Sequence, residues 1–321
     1  MNTMSVIHHN DMDGKCAAAI IRSEFIRDYD IQMIECNYDP KHKFDIQYIR
    51  PTDTVFIVDF SIDPEEMDKL IDKVGLENII WIDHHITAIE KYKSYKKDIS
   101  GLRFVGIAGC ELTYLYINGY RLFKEDCVVN TLTGSGEIEN IFDIRNRVIP
   151  RGIRLVGDWD VFDHNFEESK YIRWASEIKN ISPENDDFWG MFMGGNNSGL
   201  NELIYQGQTC YKLIQCMSKR TIKNSGTEVV LDDYPTYKCI AVNSSVNFTS
   251  ILFDDVFNDY HIGIRYFKIP GGIVFSMCRL GLEPSKEINM GKICARYGGG
   301  GHQGIGGFTT KDKLPFTFVN E

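Results

Sequence analysis

The sequence predicts an α/β protein with a doubly wound parallel sheet in an N-terminal domain, a connecting helix, and a smaller C-terminal α/β domain with a mixed sheet. The length of 321 residues is typical of two domains. Hydrophobic residues make up 43% of the chain and charged residues 25%, as in packed globular proteins. In the first half, continuous apolar runs alternate with helical patterns, which is typical of a parallel sheet covered on both faces.

The N-terminal elements follow in a regular order. We expect strands at residues 5–8, 31–36, 54–58 and 78–82, and helices at residues 14–28 and 64–74. Pro64 suits the first turn of the second helix. The carboxyl ends of parallel strands meet at one edge of a sheet, where doubly wound proteins bind their ligands.

The second half begins with a loop rich in glycine and asparagine. Apolar residues at helical spacing from Leu200 to Met217 then predict one amphipathic helix. Strand-like runs follow at residues 239–242, 262–266 and 273–277. We therefore expect a first domain at residues 1–195, a connecting helix and linker at 196–232, and a second domain at 233–321.

The composition argues against several classes of protein. No stretch approaches the roughly 20 apolar residues of a membrane-spanning helix, and residues 1–10 lack the layout of a signal peptide. Nine cysteines without a Cys-x-x-Cys pair predict reduced thiols and a cytoplasmic protein. The 35 basic and 45 acidic residues give a net charge of −10, which argues against binding long duplex nucleic acid through the overall field.

Acidic and imidazole side chains follow several of the predicted strands. The groups are His8-His9-Asn10-Asp11-Met12-Asp13, then Asp59, then Asp83-His84-His85, and finally Asp158 with Asp160, which we also place at a strand end. Aspartate and histidine together suit a divalent metal of intermediate hardness such as Mn²⁺. Asp59 could bridge two metals at a separation of about 3.5–4 Å. Each group alone could instead be a helix cap or a solvated loop charge, so the hypothesis depends on their occurring together.

A glycine-rich segment at residues 298–307 suggests a second site. Four consecutive glycines precede His302 and allow backbone amides to approach an anion. A tight structural turn is the alternative interpretation. Arg279, at the end of a predicted strand, is a further candidate ligand for an anion, although an isolated arginine is more often a surface charge.

Taken in order, these motifs resemble those of the DHH phosphoesterases. Asp11-x-Asp13-Gly14, Asp59, Asp83-His84-His85 and Asp158 resemble the four N-terminal motifs, and the glycine-rich segment resembles the signature of the associated C-terminal domain. The family includes RecJ-like exonucleases, nanoRNases, phosphatases of 3′-phosphoadenosine 5′-phosphate, cyclic-dinucleotide phosphodiesterases and family II pyrophosphatases.

The resemblance implies two Mn²⁺ ions per active site, with Co²⁺ or Mg²⁺ as substitutes. It implies one metal held by His9, Asp11 and Asp59, and another held by Asp13, Asp59, His84 and Asp158. We prefer His9 to His8 as the histidine ligand. His85 would face the scissile phosphate, and Asp83 would orient the histidine pair. The C-terminal domain would close over the cleft and bind substrate through Arg279, Gly299, Gly300, Gly301 and His302.

We therefore expect a metal-dependent phosphoesterase that uses metal-activated water on short single-stranded oligonucleotides or small nucleotides. The alternatives are a family II-like pyrophosphatase and a cyclic-dinucleotide phosphodiesterase. A non-catalytic nucleotide sensor is the alternative outside the enzymes. No membrane partner is expected, and a homodimer is left open.

Overall fold

The structure is a computed structural model and describes residues 2–38, 42–123, 128–131, 139–194, 197–245, 249–284, 287–301 and 303–319. The helices are α1 (Met12–Phe25), α2 (Pro64–Val74), α3 (Ile86–Lys91), α4 (Gly109–Ile117), α5 (Ile141–Val148), α6 (Arg151–Asp160), α7 (Glu167–Ser176), α8 (Asp186–Met193), α9 (Asn197–Ser225), α10 (Thr249–Leu252) and α11 (Met290–Arg296). The strands are β1 (Asn2–His9), β2 (Tyr29–Cys36), β3 (Thr54–Val58), β4 (Ile79–Ile82), β5 (Tyr120–Phe123), β6 (Val128–Thr131), β7 (Glu139–Asn140), β8 (Thr227–Leu231), β9 (Tyr234–Asn243), β10 (Ile262–Ile269), β11 (Gly272–Arg279), β12 (Gly300–Gly301), β13 (Ile305–Thr310) and β14 (Phe316–Phe318).

The chain divides into two compact units, residues 1–208 and 209–321. The division falls within α9, the helix that the sequence predicts as a connection. No helix among the described residues is both long enough and apolar enough to cross a membrane.

The first unit is built on a four-stranded parallel sheet with the order β2-β1-β3-β4. Alternate residues of β3 point to opposite faces, as the strand period of two requires. Phe56 and Val58 pack in one buried cluster with residues of α1, α4, α6 and α8. Val55 and Ile57 pack in another with residues of α2. The parallel sheet is therefore covered by helices on both faces, and the predicted fold class is confirmed.

The edge of this sheet is extended beyond β4 by an irregular segment. Ser100 and Arg103 form parallel bridges with Ile80 and Asp83. The Asp83 N–H donates to the Leu102 carbonyl, and the Phe104 N–H donates to the Asp83 carbonyl. These bonds fix the backbone of Asp83 at the carboxyl end of β4.

The second unit contains a seven-stranded mixed sheet with the order β12-β13-β11-β10-β9-β8-β14. Among the described strands of this sheet, β9 and β10 are parallel, and the other neighbouring pairs are antiparallel. The sheet packs its buried residues with Ile293 and Cys294 of α11. The predicted mixed sheet is confirmed, and it includes strands β8 and β12–β14 that the sequence did not indicate.

One predicted element is wrong. Asp158 and Asp160 do not follow a strand, because residues 151–160 form helix α6. Residues two apart share a face of a strand, but in a helix they point about 200° apart. Asp158 and Asp160 therefore face different surroundings.

Gly14 allows α1 to start directly against β1. A Cβ at this position would lie 2.4 Å from the His9 carbonyl oxygen and 2.8 Å from the His9 backbone nitrogen. Backbone atoms cannot yield cheaply, so Gly14→Ala should lower the free energy of unfolding by about 1–3 kcal/mol. Gly190 of α8 is the matched control, because a Cβ there meets nothing within 4 Å, and Gly190→Ala should raise stability by about 0.5–1 kcal/mol. Urea denaturation measures both, and equal effects would contradict the packing described here.

Candidate metal centre

The candidate site lies at the carboxyl ends of three neighbouring strands. His9 is the last residue of β1, Asp59 directly follows β3, and Asp83 directly follows β4. Because β1, β3 and β4 are adjacent and parallel, the residues that follow them meet at one edge of the sheet. This is the edge at which open α/β sheets bind ligands.

A first group of candidate ligands consists of His9, Asp11 and Asp59. His9 Nδ1 lies 2.7 Å from Asp11 Oδ2 and 3.7 Å from Asp59 Oδ2. The ligand atoms of the three residues lie within 4.8 Å of one another. His8 lies elsewhere, because its side chain is buried in the fold and its Nδ1 contacts the His9 carbonyl oxygen at 2.8 Å.

A second group consists of Asp13, His84 and Asp160, again with ligand atoms within 4.8 Å of one another. His84 Nε2 lies 3.4 Å from Asp160 Oδ2 and 3.7 Å from Asp13 Oδ2. The same nitrogen is 3.1 Å from Asp59 Oδ1. Asp59 therefore lies between the two groups, with Oδ2 towards His9 and Oδ1 towards His84.

Asp59 is buried, yet neither carboxylate oxygen has a hydrogen-bond partner of acceptable geometry among the described residues. Burial raises the pKa of Asp59 well above its usual value, and the negative charges of Asp13 and Asp11 add to this rise. A buried carboxylate without partners costs free energy unless a cation compensates it. The donor set therefore fits divalent metals on both sides of Asp59.

Contacts with the carboxylates of Asp11 and Asp59 favour protonation of His9 in the absence of a cation. Burial lowers the pKa of His9, but the nearby carboxylates of Asp11 and Asp59 outweigh that effect and raise the pKa to about 10. The contact with His9 likewise outweighs burial of Asp11 and lowers its pKa to about 2. A proton on His9 thus occupies the position that a bound metal would take.

Asp13 is held by the amino terminus of α4. Its Oδ2 accepts a hydrogen bond from Gly109 N at 2.7 Å, and its Oδ1 accepts one from Cys110 N at 2.8 Å. A Cβ on Gly109 would lie 2.7 Å from Asp59 Cβ. Gly109, which sequence reasoning missed, thus lets α4 approach both aspartates closely.

Asp83 contacts both residues of the histidine pair. Its buried Oδ1 accepts hydrogen bonds from the backbone N–H groups of His84 and His85, and lies 2.8 Å from His85 Nδ1. The His85 side chain is 33% exposed. With Nδ1 directed to Asp83, the other ring nitrogen, Nε2, is left for a ligand.

Asp158 accepts hydrogen bonds from the loop after α6, and the metal-binding role that the resemblance implies for it stays a prediction. Its Oδ1 accepts from Asn165 N at 2.8 Å and its Oδ2 accepts from Phe166 N at 3.2 Å. It therefore holds the loop after α6. Asp160, whose role the sequence left open, lies among the candidate ligands instead.

A buried ion pair lies close behind the site. Arg145 Nε donates to Glu111 Oε1 at 2.7 Å, and Arg145 Nη1 lies 2.9 Å from Asp163 Oδ2. Burial raises the pKa of Glu111 to about 7 although Arg145 opposes this. Glu111 follows Cys110 on α4, so this pair anchors the helix that binds Asp13.

The glycine-rich segment belongs to the second unit. Gly300 and Gly301 form β12 and pair with Gly307 and Gly306 of β13. A Cβ on Gly299 would lie 2.0 Å from the Gly307 carbonyl oxygen, so this glycine is required for strand packing. Gly300 is exposed and a Cβ there would meet nothing within 4 Å.

The structure brings Arg279 next to this segment, since its N–H donates to the Gly304 carbonyl at 2.8 Å. His302 lies outside the described residues. The predicted anion-binding role of Arg279, Gly299, Gly300, Gly301 and His302 stays a prediction.

Comparison with known proteins gives structural likenesses only. No protein family and no curated protein matches the sequence. The pGpG-specific phosphodiesterase PggH from Vibrio cholerae is 14% identical, with a TM-score of 0.49 over 97% of this chain and 94% of that one. An exonuclease RecJ bound to manganese is 13% identical, with a TM-score of 0.49 over 96% of this chain and 86% of that one. Likenesses at these levels do not establish family membership or activity.

Asp59→Asn should weaken Mn²⁺ binding at both positions together. Asparagine tolerates the positive φ of 50° at this residue, but it removes the shared charge. We expect an affinity loss of at least about 100-fold, beyond that of a residue that merely supports a ligand. The free energy of unfolding in EDTA should not fall, because a buried carboxyl whose pKa is raised by folding destabilises the metal-free fold at neutral pH. Calorimetric titration and denaturation in EDTA measure the two quantities, and unchanged affinity at either position would exclude bridging.

Asp160→Asn and Asp158→Asn should have opposite profiles. The first should weaken Mn²⁺ binding with little effect on unfolding, because Asp160 lies with the ligands. The second should lower the free energy of unfolding by about 1–3 kcal/mol, since an amide nitrogen cannot accept from a loop N–H. The same titration and urea denaturation separate these outcomes. A larger loss of metal affinity in Asp158→Asn would restore the sequence-based assignment.

Proposed function

We propose that this chain is a DHH-type phosphoesterase that hydrolyses phosphodiester or phosphomonoester bonds of short oligonucleotides or small nucleotides. The observation that carries the proposal is the position of Asp59, buried between two groups of histidine and carboxylate ligands. The ordered motifs of the sequence and their meeting at one sheet edge support the same conclusion.

In this proposal, His9, Asp11 and Asp59 hold one divalent cation, and Asp13, Asp59, His84 and Asp160 hold a second. Such a pair of cations offsets charge on a bound phosphate and lowers the pKa of water. The mixed imidazole and carboxylate ligands favour Mn²⁺ or Co²⁺ over Mg²⁺ or Ca²⁺.

The residues around the ligands have separate tasks. Asp83 fixes the His85 ring through Nδ1, so that Nε2 can contact an oxygen of the phosphate or of the leaving group. Gly109 and Cys110 position Asp13 through their backbone N–H groups. Fixed ligands of this kind need no rearrangement when the substrate binds, which is the basis of electrostatic preorganisation.

The test is hydrolysis of a substrate panel by purified protein with Mn²⁺, Co²⁺, Mg²⁺ or Ca²⁺. The panel contains dinucleotides, longer single strands, 3′-phosphoadenosine 5′-phosphate, cyclic dinucleotides and pyrophosphate. We expect turnover of dinucleotides or small nucleotides with Mn²⁺ or Co²⁺. Asp59→Asn should lower the rate of turnover at least about 1,000-fold, which is equivalent to several kcal/mol of transition-state stabilisation.

Activity that persists in EDTA or in Asp59→Asn would contradict the metal mechanism. Equal rates with Mg²⁺ would argue that the histidines are not ligands. Turnover of pyrophosphate alone would identify the alternative enzyme, and nucleotide binding without turnover would identify a sensor.

A further inference from the structure

Tyr38 is an exposed aromatic residue at the same sheet edge as the candidate metal centre. It lies two residues beyond Cys36, the last residue of β2, which pairs with His9 at the end of β1. The Tyr38 ring centroid is 5.6 Å from that of His9 and 6.2 Å from that of His85. The residue is nevertheless 55% exposed.

Phe60 and Ser61 fix the position of the Tyr38 ring. The ring stacks on buried Phe60, with centroids 4.8 Å apart and an interplanar angle of 27°. Its hydroxyl accepts a hydrogen bond from Ser61 N at 3.2 Å and lies 3.3 Å from the Ser61 hydroxyl. Three contacts therefore fix the ring in place while about half of the residue remains open to solvent.

A cavity of about 290 Å³ adjoins the ring, and Tyr38, Phe60, Ser61 and Thr87 are among its lining residues. The charged residues of the lining compensate one another, since Lys43 pairs with Glu66 and Lys91 pairs with Asp63. Paired charges offer little attraction for an additional phosphate. An uncharged aromatic group suits the cavity better.

We propose that Tyr38 is a stacking platform for the nucleobase of the nucleoside next to the reacting phosphate. The inference rests on the proposed function and narrows its substrate class to base-bearing nucleotides, in preference to inorganic pyrophosphate. A purely structural role for the ring would not account for its exposure beside His9 and His85. Nucleobases stack on aromatic side chains with little regard to base identity, and such contacts are sensitive to alanine substitution.

The test compares kcat/KM of wild type and of Tyr38 variants on three substrates. Wild type and Tyr38→Ala are compared on a dinucleotide and on its analogue with an abasic sugar at one position and then at the other. Tyr38→Ala should lower kcat/KM for the dinucleotide on the order of tenfold, chiefly through KM. The same substitution should leave kcat/KM nearly unchanged for the analogue that lacks the stacked base. Tyr38→Phe and Tyr38→Trp should restore the preference for a base, because both keep an aromatic face.

Tyr48→Ala is the matched control, since Tyr48 is 61% exposed on a 3-10 turn of the same unit. This variant should have the kcat/KM of wild type on every substrate. Equal losses on base-bearing and abasic substrates in Tyr38→Ala would overturn the proposal, because they would indicate a structural role. Failure of Tyr38→Phe to rescue would overturn it as well.

A binding measurement separates this inference from the proposed function. Adenosine monophosphate and ribose 5-phosphate are titrated into wild type and Tyr38→Ala in the presence of Mn²⁺. Wild type should bind adenosine monophosphate more tightly than ribose 5-phosphate, and Tyr38→Ala should lose this difference. That result would support the stacking platform even if wild type hydrolysed nothing in the panel. Equal affinities of wild type for the two ligands would overturn it, even if wild type hydrolysed dinucleotides.

Discussion

The burial of the Asp59 carboxylate is the constraint on which the candidate site depends. The residue follows β3, between the ends of β1 and β4, and its two oxygens lie near the ring nitrogens of His9 and His84. Burial together with Asp11 and Asp13 raises its pKa. Such an arrangement destabilises a metal-free protein, so its presence is best explained by cations that bind on either side.

The rest of the fold holds this carboxylate and its neighbours in place. The segment beside β4 fixes the backbone of Asp83, which in turn holds His84 and His85. Helix α4 approaches Asp13 because Gly109 has no side chain. The sheet thus sets which residues meet, while the helix termini and backbone hydrogen bonds set their orientation. Tyr38 and its cavity, adjoining the same edge, extend this arrangement towards a substrate.

Much of the site could be predicted because strand ends are visible in the sequence. Apolar runs locate β1, β3 and β4, and the parallel topology brings His9, Asp59 and Asp83 together. The sequence could not assign a role to Asp160. Interpreting residues 156–160 as a strand end places Asp158 and Asp160 on one face, so the pattern does not distinguish between the two side chains. In helix α6 they point apart, and Asp158 binds the following loop. Gly109 and Tyr38 left no local signal, since their roles arise from close approach between distant segments. The role of the glycine-rich segment stays a prediction, although its packing explains why several of its residues must be glycine.

The most direct test of the central claim is a crystal structure with Mn²⁺ in which anomalous scattering locates the metals. We predict two anomalous peaks about 3.5–4 Å apart, one on each side of the Asp59 carboxylate. One peak should contact His9 and Asp11, and the other should contact Asp13, His84 and Asp160. A single peak, or a second peak bound by Asp158 in place of Asp160, would contradict the account.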